Sequence, residues 1–204
     1  MPATVPRLIL ASASPGRLRL LRAAGIEPEV EVSGVDETEV PGETPTEHCM
    51  RLATLKAEAV ATGRDAGMVL GADSVLDLDG VPLGRPATPA EALARWQAMS
   101  GRSGVLLTGH CLIDAASGGR AGAVAETVVR FGRVSEAEIA AYVATGEPLR
   151  VAGAFTIDGF GGPFVDGVEG DPTNVVGLSL PLLRRLLAEL GVELFELWTG
   201  PAPA

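Results

Sequence analysis

Residues 68–83 read Met68-Val-Leu-Gly71-Ala-Asp73-Ser74-Val-Leu-Asp-Leu78-Asp79-Gly80-Val81-Pro-Leu83. Met68 to Leu78 is apolar and partly alternating, the pattern of a strand. Asp79-Gly80 suits a turn with positive φ at both central positions, so the chain should return through Val81 to Leu83 as a hairpin. On the N-terminal side, Thr44-Pro45-Thr46-Glu47 is a capping box that opens a helix to about Thr62, and Gly63 ends it. On the C-terminal side, Thr88-Pro89-Ala90-Glu91 opens a helix closed by Gly101. Val105 to Ile113 and Val124 to Phe131 form a second hairpin across Ser117-Gly118-Gly119. Ser135 to Glu138 opens a helix closed by Gly146, and a last helix covers roughly Pro181 to Leu190. Near the start, Leu8 to Ala11 is a strand, Ser14 caps a helix with Pro15 at its first position, and Gly25 stops it. A strand is expected around Glu29 to Ser33, and short strands at Phe155–Ile157 and Gly177–Leu180. Gly159 to Asn174, rich in Gly, Asp and Pro, is expected to be a loop, and Gly200 to Ala204 a frayed tail. Helices alternate with hairpins, so the expected fold is α/β with a mixed sheet.

Composition narrows the function classes. The chain has 204 residues and a net charge of −10, so general attraction to a nucleic-acid polymer is not expected. No apolar run has the roughly 18–20 residues that cross a bilayer. Met1 to Pro6 is too short and too polar for a signal peptide, and a cytoplasmic location is expected. Cys49 and Cys111 have no zinc spacing and read as buried free thiols. His48 and His110 are the two histidines, and there is no G-x-S-x-G elbow, so a serine or cysteine hydrolase is poorly supported.

Five places have residue types that suit phosphate chemistry. Ser12, Ser14 and Arg17 flank a helix N-terminus, where unpaired N–H groups favour anions; an ordinary capped helix with a surface arginine is the alternative. Lys56 is the single lysine beside fifteen arginines. On a helical wheel it falls between Cys49, Leu52 and Val60, opposite Arg51, Thr54 and Glu58. Either its stem is buried and its ammonium reaches water, or the charge points into a cleft. Asp73 interrupts a strand: either it is an exposed Asp on the wet face of the sheet, or its charge is compensated by a metal, a basic partner or exposure at a cleft. Neighbouring Gly71 and Ala72 leave room for a ligand to approach. Glu37, in Val35-Asp36-Glu37-Thr38, is either a solvated loop acid or the partner of Asp73 in a carboxylate pair for Mg²⁺. Arg85, after the hairpin, is either a surface charge or a phosphate ligand.

These pieces, in this order, resemble the Maf family from Leu8 to about Leu190. Leu10-Ala-Ser12-Ala-Ser14-Pro-Gly16-Arg17 is similar to the family's S-x-S-P-R-R signature. Val35-Asp36-Glu37, Arg51-Leu52-Ala53 through Lys56-Ala57, Gly71-Ala72-Asp73-Ser74, Gly153-Ala154-Phe155 and Val176 to Leu180 match its later motifs. The resemblance implies an elongated mixed sheet with flanking helices and two lobes around a cleft, like inosine triphosphate pyrophosphatases. It also implies a single domain spanning the chain, with the tail from about residue 199. The implied reaction is hydrolysis of a nucleoside triphosphate to monophosphate and pyrophosphate with a divalent metal, Mg²⁺ or Mn²⁺. By position, Asp73 is either the general base that activates water or chiefly a metal ligand beside Glu37, while Ser12, Arg17, Lys56 and Arg85 line the triphosphate site. Ser14, Ser74 and Asp158 complete the substrate-binding set. Gly16 stands where the signature has Arg, and Arg85 where Lys is usual. With Ser74 and Asp158 the chain fits neither the dTTP/UTP subgroup nor the 7-methyl-GTP subgroup, so a broad or non-standard base preference is expected. A homodimer is one candidate assembly. The rival expectation is a nucleotide-binding regulator of septum formation with little catalysis; the presence of Glu37 and Asp73 favours the enzyme.

Overall fold

The computed structural model describes residues 7–199; the expected tail at 200–204 and the N-terminal residues Met1 to Pro6 lie outside them. The elements run β1 (Leu8–Leu10), α1 (Pro15–Ala23), β2 (Glu29–Val30), α2 (Pro45–Ala61), β3 (Met68–Leu78), β4 (Val81–Leu83), α3 (Pro89–Met99), β5 (Ser103–Asp114), β6 (Arg120–Phe131), α4 (Glu136–Ala144), β7 (Val165–Gly170), α5 (Pro172–Val176) and α6 (Leu180–Glu189). Each helix start has its cap. Ser14 accepts from the Arg17 N–H, Thr44 and Ser135 form capping boxes with Glu47 and Glu138, and Thr88 accepts from Glu91. Asp79 and Gly80 both have positive φ, the turn that the β3–β4 hairpin requires.

The seven strands form one mixed sheet in the order β2-β1-β3-β5-β6-β7, with β4 also on β3. β1 pairs in parallel with β2 and β3; the other pairings are antiparallel. β5 covers one side of β3 from Met68 to Asp77. On the opposite side β1 covers Met68 to Leu70 and β4 covers Leu76 to Leu78. Among the described residues no strand pairs with that side of β3 over residues 71–75. The sheet therefore has an open stretch of edge in its middle, bounded by the ends of β1 and β4.

The two faces of β3 carry different loads, as alternation dictates. One face, with Val69 and Val75, packs on α2 through Ala53, Ala57, Val60 and Cys49. The other face supports two hydrophobic cores. The first joins Met68, Leu70 and Ala72 to Leu21 of α1 and to Leu182, Leu183 and Leu186 of α6. The second joins Leu76 and Leu78 to Trp96 of α3, Ile139 and Tyr142 of α4, Phe131 and Phe155. Trp96 is fully buried, makes edge contacts with Phe131, Tyr142 and Phe164 at ring separations of 5.5–5.7 Å, and donates its N–H to the Ala154 carbonyl. The two cores share one continuous sheet.

Four local expectations are corrected. Phe155–Ile157 is not a strand, because Gly153 and Ala154 turn the chain with positive φ just before it. Gly177–Leu180 is not a strand either: Gly177 ends α5 in the left-handed region and Ser179 caps α6. The expected loop Gly159–Asn174 contains β7, which pairs with β6, and the start of α5. The strand near Glu29 is limited to Glu29–Val30.

Candidate active site

The open edge of β3 presents neighbouring side chains to opposite faces, Asp73 towards α2 and Ser74 towards the gap between the two cores. α2 reaches Asp73 because of two glycines. A Cβ on Gly71 would collide with the Ala53 carbonyl, and one on Gly109 with the Cys49 carbonyl. This corrects the expectation that Gly71 makes room for a ligand: the space it leaves is filled by the backbone of α2. That close approach delivers Lys56 to the site. Lys56 is 6% exposed, and its Nζ donates to Asp73 Oδ1 at 2.6 Å and pairs with Glu37 Oε1 at 2.7 Å. The Lys56 ammonium does not reach out to water but is held between the Asp73 and Glu37 carboxylates. Of the readings open for Asp73, a basic partner is found.

Glu37 comes from the segment between β2 and α2. Arg51 of α2 ties that segment down by donating to the Thr38 carbonyl and to Glu43. Arg85, just after β4, donates to Glu37 Oε2 at 3.3 Å. Burial acts to raise the Glu37 carboxyl, but the hydrogen bond and charge of Lys56, with the charge of Arg85, outweigh it and hold it below the usual carboxylate value.

On the other face Arg17 is 7% exposed. Its Nε donates to the Gly177 carbonyl at 2.8 Å, Nη1 to Ser12 Oγ at 2.9 Å and Nη2 to Ser74 Oγ at 3.0 Å. All three acceptors are neutral, and no carboxylate pairs with Arg17 among the described residues. Burial lowers its affinity for the proton, while the charges of Asp73 and Glu37 work the other way; the guanidinium remains a cation. Ser14 supports the arrangement from the helix start, with its N–H on Ser12 Oγ and its own Oγ on the Arg17 N–H. Ser12, Ser14, Arg17, Glu37, Lys56, Asp73, Ser74 and Arg85 thus lie around one stretch of sheet edge, in two hydrogen-bonded groups that meet at neighbouring Asp73 and Ser74. Three cations face two carboxylates there, leaving one positive charge in excess within a chain of net charge −10.

Asp158 lies outside these groups. It is exposed and pairs at 2.5 Å with Arg19, two residues beyond Arg17 on α1. Sequence reasoning missed Thr108, His110, Thr127 and Asn174, a polar seam running behind Ser74 between the two cores, each at most 1% exposed. Their signal was two polar residues, Thr108 and His110, at alternate positions of a strand whose same face otherwise carries Leu106 and Leu112. His110 is buried, with Nδ1 on the Thr108 carbonyl and Nε2 accepting the Ser179 N–H. Burial pushes it down to about 4, aided by the charge of Arg17, so it is neutral and has no catalytic carboxylate. The Cys49 thiol is pushed up to about 12 by burial and the charge of Asp73 and is no nucleophile at neutral pH. An apolar groove between α3 and α4, lined by Leu93, Val143 and Leu149 among others, contains none of the charged groups.

The fold is thus a mixed α/β sheet whose open edge gathers a buried arginine, a lysine and two carboxylates. The chain belongs to the Maf family: the family model described as Maf-like protein matches residues 7–190. The chain is 60% identical over 200 residues to a nucleoside triphosphate pyrophosphatase of Streptomyces coelicolor, covering 97% of this chain and 96% of that one. It is also 60% identical over 207 residues to the enzyme of the same name from Salinispora tropica, covering 97% and 92%. A HAM1 protein from Coxiella burnetii aligns with 63% of this chain and 74% of its own, at 22% identity and a TM-score of 0.41.

Proposed function

We propose that the protein hydrolyses nucleoside triphosphates to nucleoside monophosphate and pyrophosphate. The observation that carries this reading is Arg17, a buried cation satisfied by neutral groups alone, a few residues of sheet from the Lys56-bridged carboxylates. Such a cation gains most from an anionic ligand. The family and the names of the relatives support the choice of substrate. In the reaction, the oxygen of water attacks the α-phosphorus and the bond to the bridging oxygen of the β-phosphate breaks. Asp73 orients the water and takes its proton. Arg17, Lys56 and Arg85 offset the charge of the triphosphate and of the departing pyrophosphate.

Glu37 and Asp73 fit a divalent cation by donor chemistry: two carboxylates close enough to share one ammonium, the usual protein contribution to a magnesium–phosphate site. No group of three or more His, Cys, Asp or Glu suited to a metal occurs among the described residues, so phosphate oxygens and water would complete the set. Mg²⁺ or Mn²⁺ held there would supply further neutralisation of phosphate charge. The reading includes a broad base preference and a housekeeping role in the cytoplasmic nucleotide pool, with Asp158 on the nucleoside side and Ser74 at the substrate. Breadth follows from the sequence alone, where Gly16 offers no side chain to a base; in the fold a Cβ there would lie 3.0 Å from the Val176 carbonyl oxygen, so the position packs against α5. The described residues include no helix long and apolar enough to cross a membrane. The test is to incubate a panel of standard and modified triphosphates with Mg²⁺ and resolve the products. Monophosphate with pyrophosphate is expected; diphosphate with orthophosphate refutes the reaction.

A further inference from the structure

Thr108 of β5 stands directly opposite Ser74 of β3 in the register, is 0% exposed, and places Oγ1 at 2.9 Å from Ser74 Oγ. Among the described residues that oxygen is its one hydrogen-bond partner. A buried hydroxyl proton goes to an acceptor, so the Thr108 O–H donates to Ser74 Oγ. Arg17 Nη2 also donates to Ser74 Oγ, at 3.0 Å, and a guanidinium cannot accept. A serine oxygen accepts two hydrogen bonds and donates one. Both acceptor positions of Ser74 are therefore filled by the protein. Its own O–H is left to point elsewhere, from a half-buried residue on the open edge of β3. The reverse arrangement, Ser74 donating to Thr108, strands the Thr108 proton in the interior.

We propose that Thr108 is a positioning residue that, with Arg17, locks Ser74 as a hydrogen-bond donor to the ligand, so that the ligand atom held there is a hydrogen-bond acceptor. This rests on the nucleotide reading of the site. That acceptor belongs either to the phosphate chain or to the nucleoside, and the chemistry that recognises it is the same. Freed of the Thr108 proton, the Ser74 hydroxyl regains an empty acceptor position and can rotate away from the ligand.

The test compares Thr108→Val, which keeps the shape and removes the donor, with Thr108→Ser, which restores it, each also in a Ser74→Ala background. Calorimetry measures binding of inorganic tripolyphosphate and of a nucleoside monophosphate, and kinetics measure KM and kcat with a triphosphate. Thr108→Val should weaken one of the two ligands by about fivefold, the scale of one net hydrogen bond, and Thr108→Ser should bind normally. Loss confined to tripolyphosphate assigns the acceptor to the phosphates; loss confined to the monophosphate assigns it to the nucleoside. KM should rise by a similar factor with kcat changed less than about twofold, and Thr108→Val should add nothing once Ser74 is alanine. An effect of equal size with and without Ser74, equal effects of valine and serine, or no effect on either ligand overturns the proposal. If Thr108→Val does not fold, Thr108→Cys, a weaker donor of similar size, is read by the same criteria. Absence of turnover in the wild type refutes the enzyme reading but leaves the binding arms to decide the role of Thr108.

Discussion

Lys56 separates two carboxylates that would otherwise face each other across a partly buried gap. Replacing it with methionine keeps most of the stem and removes the counter-charge. Lys56→Met should lose about 2 kcal/mol or more of stability at neutral pH, because it leaves Asp73 and Glu37 uncompensated. Thermal melting at pH 8 and pH 5 checks this: the deficit should shrink at the lower pH as Glu37, no longer held down by the Lys56 charge, takes up a proton. Catalytic efficiency should fall at least about tenfold, equivalent to about 1.4 kcal/mol. Unchanged kinetics would return Lys56 to a purely structural role. Asp73→Asn should behave differently. Lys56 retains Glu37 as a partner, so the melting temperature should change little while turnover falls by about 10²-fold, the usual contribution of a positioned base. Near wild-type turnover in that variant would remove Asp73 from the mechanism.

The element that decides the site is α2, which crosses β3 and β5 at Gly71 and Gly109 with no side chain between. Gly71→Ala places a methyl group against the Ala53 carbonyl and the Ala57 amide, backbone atoms that cannot rotate aside. The expected cost is about 3 kcal/mol, the upper range for overpacking, and Lys56 moves with the helix. Denaturant unfolding measures the cost, and an alanine variant of unchanged stability and activity would show that α2 shifts freely. By contrast, Thr44→Ala removes the cap at the start of α2, a surface site. It should cost about 1 kcal/mol and leave the kinetics near wild type. A loss of activity there would mean that the helix start is coupled to the Glu37 segment more tightly than its hydrogen bonds indicate.

Across the whole molecule, the two cores meet at a polar seam that includes His110. Its ring is neutral in the folded protein and depressed to about 4, against about 6.5 when unfolded; burial leads and the charge of Arg17 adds to it, against the opposing hydrogen bond to the Thr108 carbonyl and charge of Asp171. Below pH 6.5 the unfolded chain takes up a proton that the folded one refuses. The contribution to stability is therefore complete above pH 6.5 and declines as pH falls towards 4. Between pH 7 and pH 5 the loss should be about 2 kcal/mol. Urea unfolding at both pH values, on the wild type and on His110→Gln, measures it. A wild-type slope no steeper than that of the variant would place the acid sensitivity elsewhere.

Much of this architecture is written locally in the chain. Ser14, Thr44, Thr88 and Ser135 start helices because a side-chain oxygen meets an orphan N–H within three residues, and Asp79-Gly80 turns the hairpin because both tolerate positive φ. The buried side of Lys56 follows from a 3.6-residue period, and the oddity of Asp73 from its strand. β7 was not legible, since Val165 to Gly170 has little strand character of its own and is held extended by pairing with β6. The open edge of β3 was not legible either: it depends on where β1 and β4 stop, and strand register is a long-range property. Nor could the chain alone show that Arg17 is held by the Gly177 carbonyl, 160 residues away, or that Thr108 stands behind Ser74. Periodicity states which face a residue takes. Which partner it meets there is decided by packing among segments distant in sequence, and only the tertiary structure brings them together.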